Sequence, residues 1–187
     1  MKILIHLLLG LALASSSFAQ NYAREGLEIG LGASLAREAF DSDAGDYDDS
    51  AAFDGVIGYR FHPRLALDLH VAELSGFDLD DDLAPGSDLE VEASELTANA
   101  RFFLLTGEVQ PYVSIGAGWG WVDVDVDGPL ESLSEDFDDP VARFGLGLDG
   151  YLSPNVALGL EAAYHMGLGD LDDFDYWTAT GMLRFRF

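Results

Sequence analysis

In the stretch GWGWVDVDVDG, residues 118–128, the carboxylates of Asp123, Asp125 and Asp127 stand two residues apart and are followed by Gly128. Acids at that spacing ahead of a glycine open a calcium loop of the EF-hand type, which closes with a bidentate glutamate at its twelfth position. Counted from Asp123, that position is Ser134, and Glu135 falls one residue late. The same letters also alternate every second residue. They continue the odd parity of Val113, Ile115, Ala117, Trp119 and Trp121, as a β-strand would. The expectation is therefore a strand whose outer face turns from tryptophan to solvated aspartate, with Gly128-Pro129 ending it. No metal site is expected, and any calcium binding should be weak and shared among acidic segments.

The other groups that could do chemistry are arginines, acids and histidines, since the chain has no cysteine for thiol, disulfide or zinc chemistry. Among positions that alternate with apolar ones stand the acids Glu28, Asp54, Asp68, Glu95, Asp149 and Glu161 and the bases Arg60, Arg101, Arg143, Arg184 and Arg186. Six against five nearly cancel, as buried charges must. Arginine's planar fork can bridge two carboxylates. The expected pairs are Arg60 with Asp68 across the His62-Pro63-Arg64 turn, and Arg184 or Arg186 with Glu28. His165 faces inward near Glu161, and His70 shares a face with Asp68. Neither has a serine nucleophile beside it, so no catalytic residues and no cofactor are expected.

Such a network needs elements to hold it. Eight segments of about 9 to 12 residues read with period two, the length and pattern of tilted strands with one face to lipid and one to a lumen. Connections at 62–64, 106–110 and 153–155 are short; those at 38–50, 75–90, 123–140 and 167–175 are long and carry acids without a base. Short and long alternate strictly. That pattern predicts an all-β fold, an eight-stranded antiparallel up-and-down transmembrane barrel with long acidic external loops and both termini periplasmic. Aromatics divide between the strand ends, with Phe53, Trp119, Trp121, Tyr164 and Trp177 at one end and Tyr59, Phe61, Phe102, Phe185 and Phe187 at the other. Two interfacial girdles are expected.

Residues 1–19 combine Lys2, an apolar run over 3–13 and the small residues Ser17 and Ala19. This reads as a signal peptide cut after Ala19, leaving residues 20–187 as one barrel domain. Beyond it stand eight arginines and no lysine against 34 acids, a formal net charge of −26. Nucleic acid is excluded as a partner by that sign.

The stretches VQPYVSIGAGWGW and FGLGLDGYLSPNVALGLEAAYHMG and the closing GMLRFRF resemble the small eight-stranded outer-membrane barrels related to the OmpA transmembrane domain, including OmpX-like and OmpW-like members. The resemblance covers essentially the whole chain after the leader. It implies location in the outer membrane of a Gram-negative bacterium and recognition by the outer-membrane assembly machinery, which reads a last strand ending in an aromatic. Leu183, Phe185 and Phe187 match that alternation. Gly181 lies one residue off the family's glycine.

The expected function is a monomeric structural or surface-interaction barrel with a charged, plugged lumen. Its partners would be membrane lipid and lipopolysaccharide, with divalent cations bridging the acidic loops to the anionic layer. A small pore is the alternative, kept open by nine inward glycines, among them Gly58, Gly116, Gly145 and Gly147, that would leave room for water. A lipid-modifying enzyme is a remote third reading.

Overall fold

The computed structural model describes residues 22–38, 50–75, 88–127, 132–169 and 175–187. The leader with its cleavage site, residues 39–49, 76–87 and 170–174, and Gly128-Pro129 lie outside them. Eight strands follow one another: β1 Gly26–Glu38, β2 Ser50–His62, β3 Leu65–Ser75, β4 Asp88–Phe103, β5 Val109–Asp127, β6 Ser132–Ser153, β7 Val156–Gly167 and β8 Tyr176–Arg186. Each pairs antiparallel with the next, and β8 closes on β1. Closure leaves no open edge around the ring, as a backbone in hydrocarbon requires. At the seam the Phe187 amide donates to the Leu27 carbonyl at 2.9 Å. Gly26 admits the Phe187 carbonyl where a Cβ would lie 2.3 Å from it.

Stepping across the ladders from Gly26 through Arg60, Ala66, Arg101, Ser114, Gly145, Ala163 and Thr178 returns to β1 at Ala36, ten residues further on. Eight strands with that stagger tilt by about 40° around a backbone cylinder of roughly 8 Å radius. Side chains fill such an interior. Period two sorts them, with Phe53 and Leu146 at 73% and 67% exposure on the outside and Arg60 and Arg101 at 0% and 2% on the inside. The protein is apolar outward and polar inward.

Three strands exceed the expected length. β4 begins at Asp88, β5 runs to Asp127 and β6 begins at Ser132. The segment 123–140, expected as a long acidic loop, is therefore mostly hairpin, with only 128–131 between its strands. Asp125 pairs with Glu90 on one side and Ser134 on the other. That extended, doubly paired backbone is the strand anticipated for 123–127, not a calcium loop. The acidic stretches ahead of the expected β4 and β6 are strand as well, because backbone pairing does not depend on the medium outside it. Trp119 and Trp121 consequently sit within β5 and not at its end. At the short connections the chain turns at Pro63-Arg64 and Pro154-Asn155, each beside a register shift.

Candidate functional site: the barrel lumen

The lumen is layered. At the end away from the termini Ala36, Ala52, Ala72, Leu74, Ala93, Val122 and Tyr176 form a buried apolar cluster, and toward the termini Ala66, Phe103 and Tyr112 form a smaller one. Charged groups fill the length between and around them, so the charged lumen is interrupted by apolar layers.

Every charged residue placed inside by the alternation is buried except Glu161, which is half-buried with its side chain 7% exposed. Arg101 on β4 is the hub. It donates from Nε to Asp68 Oδ2, from Nη1 to Asp149 Oδ2 at 3.2 Å, and from Nη2 to Glu28 Oε2 and to Asp68 Oδ1 at 3.0 Å. One guanidinium thereby ties β4 to β3, β6 and β1. Arg186 donates from Nε to Glu28 Oε1 at 2.8 Å, so the expected meeting of the last strand with the first forms. Arg184 reaches Asp149 at 3.3 Å instead. Arg143 pairs with Glu161, whose other oxygen accepts from the Tyr112 hydroxyl at 2.6 Å.

The expected pair of Arg60 with Asp68 does not form. Asp68 is taken by Arg101, whereas Arg60, beside the register shift at His62, donates to Gln110 Oε1 at 2.7 Å and to the Pro63 carbonyl. Its guanidinium lies 3.8 Å over the Phe103 ring. Gln110 in turn donates to the carbonyl of Tyr22, which also accepts from Arg186. The segment before β1 is thus tied across the end of the barrel that carries the termini.

Nearer the other end, His70 Nε2 lies 2.8 Å from Asp54 Oδ1, and Ser34 Oγ donates to Asp54 Oδ2 at 2.7 Å. His165 Nδ1 lies 2.8 Å from Glu95 Oε2 and its Nε2 lies 3.1 Å from Thr178 Oγ1, while its ring stacks on Tyr176. The second chain has the hydroxyl, imidazole, carboxylate order of a catalytic triad, but Thr178 is only 8% exposed. In the first the hydroxyl meets the carboxylate and not the imidazole. Among the described residues no group of three or more His, Asp or Glu could hold a metal.

Gln110, Tyr112, Tyr151, Asn99, Tyr176 and Thr178 complete this network, and a count of formal charges missed their roles. Their signal was the same inward parity. The glycines also do something other than expected. A Cβ at Gly58 would lie 1.9 Å from Asp68 Oδ1, at Gly116 2.0 Å from Asn99 Oδ1, and at Gly147 2.2 Å from the Tyr112 ring. They make room for side chains from the neighbouring strand, where the sequence reading left room for water.

On the outside, Trp119, Trp121 and Trp177 are all exposed, and Trp119 Nε1 donates to Asp138 Oδ2 at 3.0 Å. Phe185 and Phe187 also face outward, with Leu183 half-buried beside them on β8.

Three solved structures share this architecture. The N-terminal β-barrel domain of Pseudomonas aeruginosa OprF is 19% identical, with a TM-score of 0.55 over 88% of this chain and 100% of that one. Neisserial surface protein A is 17% identical, with a TM-score of 0.60 over 87% and 97%. Ail, the attachment invasion locus protein of Yersinia pestis, is 22% identical, with a TM-score of 0.51 over 87% and 97%. At these identities the likeness shows the fold alone. A search of curated proteins found no significant match. The outer membrane protein beta-barrel domain family, however, matches residues 6–187, and with an apolar exterior around a closed eight-stranded barrel the chain belongs to that family.

Proposed function

We propose that the protein is a structural, surface-presenting barrel of the outer membrane whose lumen is sealed by its own ionic network. The observation that carries this reading is Arg101, 2% exposed and held by carboxylates from three other strands, with glycine positions occupied by neighbouring side chains. A water-filled channel would have to part those pairs and leave charges unpaired at several kcal/mol each. The hydroxyl, imidazole and carboxylate groups near Thr178 are read as structural, and the protein as no enzyme.

The termini and short turns face the periplasm in this proposal, with the extended strands β4 to β6 facing outward. There the acidic residues meet lipopolysaccharide through divalent cations, in a barrel that acts as a monomer. Two structural neighbours are named as a surface protein and an attachment protein, which supports a surface role. Export by a leader cut after Ala19 and assembly guided by Leu183, Phe185 and Phe187 belong to the same reading. Proteoliposomes with the purified barrel test it: they should take up small sugars no faster than empty vesicles. Protein-dependent swelling would favour the pore.

A further inference from the structure

A cavity of about 20 Å³ lies in the lumen between the histidine pairs and the Arg101 hub. That is space for one small occupant. Its wall includes three guanidinium groups, Arg101, Arg143 and Arg184, against two carboxylates, Asp68 and Glu161. Arg101 is fully engaged, but Arg184 is not. Its Nε and Nη1 have no hydrogen-bond partner, and its Nη2 reaches only the Tyr112 hydroxyl, at 3.5 Å. Its Nε lies 3.3 Å from Asp149 Oδ1 in an ion pair, and Asp149 Oδ2 accepts from Arg101. Arg143 Nε and Thr180 Oγ1, on the same cavity wall, likewise have no partner. All three residues are at least nine-tenths buried.

Buried donors are almost always satisfied, and a guanidinium cannot shed its proton to escape the requirement. The remedy must be an acceptor in the cavity. A water could supply it while donating to His70 Nδ1, which has no partner on the same wall. The wall's carboxylates are already engaged, Asp68 by Arg101 and Glu161 by Arg143 and Tyr112. An anion needs no acceptor, and it answers directly the free donors of two guanidinium groups, Arg184 and Arg143. The volume admits a monatomic ion.

We propose that this cavity is a binding site for one chloride-sized anion, held by Arg184 and Arg143 with the Thr180 hydroxyl as a third donor. The ion joins β8 to β6 across the lumen, beside the direct Arg184–Asp149 pair. This goes beyond the sealed-barrel reading, because a sealed lumen could equally close on water.

Crystals of the refolded barrel grown in sodium bromide, measured at the bromine absorption edge, should show one anomalous peak in the lumen in contact with Arg184 and Arg143. No anomalous signal there overturns the proposal, including the case of ordinary water density bridging to the free His70 Nδ1. Thermal unfolding at fixed ionic strength, with sulfate replaced stepwise by chloride, gives the second measurement. The wild-type midpoint should rise with chloride, because a ligand of the folded state stabilises it by mass action. Arg184→Met should abolish the rise. Thr180→Val keeps both arginines, and loss of one hydrogen bond to the ion should weaken apparent chloride affinity ~tenfold. A wild-type midpoint indifferent to chloride, or a Thr180→Val response equal to wild type, counts against the site.

Discussion

Replacing Arg101 by methionine removes the hub while keeping most of its apolar volume. The three carboxylates it holds are not equally affected. Glu28 keeps Arg186 and Asp149 keeps Arg184, but Asp68 loses the partner of both its oxygens. The loss should therefore resemble one broken buried pair, about 3 to 5 kcal/mol, and not three. Contacts of the guanidinium with Phe103 and Tyr112, 5.2 and 5.5 Å from the ring centroids, add a smaller share. Urea unfolding in lipid vesicles, followed by the fluorescence of Trp119, Trp121 and Trp177, would measure it, with an unchanged dependence on denaturant showing the same surface exposed. Adding Asp68→Leu removes the stranded carboxylate and should return most of the lost stability. A loss below about 1 kcal/mol for Arg101→Met, or no recovery in the double variant, would refute the reasoning that this network is desolvated and mutually dependent.

Gly147→Ala should cost about 1 to 3 kcal/mol by overpacking, because its Cβ would meet the Tyr112 ring at 2.2 Å; unfolding in the same vesicles checks it. Phe187→Ser should lower the amount of protein reaching the outer membrane, read by membrane fractionation, with in vitro refolding reduced less. Asp125→Asn should leave folding intact, and calorimetric titration should find no single saturable micromolar calcium site in wild type or variant, since Asp125 lies in a strand paired on both sides.

The barrel was legible because its two faces meet different solvents. Leu27, Ile29 and Leu31 against Glu28 and Gly30 state which side faces out, and that alternation repeats in every strand. The charged members of the lumen were legible for the same reason. Their pairing was not. Which carboxylate Arg60 or Arg101 takes depends on the stagger of the strands and on the register shift near His62, set by all eight ladders together. Polar residues such as Gln110 and Tyr176 escaped notice because nothing in their formal charge marks them. Strand ends escaped for a different reason: polarity reports the medium outside the backbone, and β4 and β6 pair with β5 from Asp88 and from Ser132, well before the expected strands begin.

The central claim is that the side chains of the lumen close it. Single-channel recording of the purified barrel in a planar lipid bilayer tests it most directly, with insertion verified by the differing gel mobility of folded and boiled protein. The account predicts a silent bilayer for the wild type. Stable, reproducible conductance steps from the wild-type barrel would contradict it, showing that the network around Arg101 lines a pore and does not seal one.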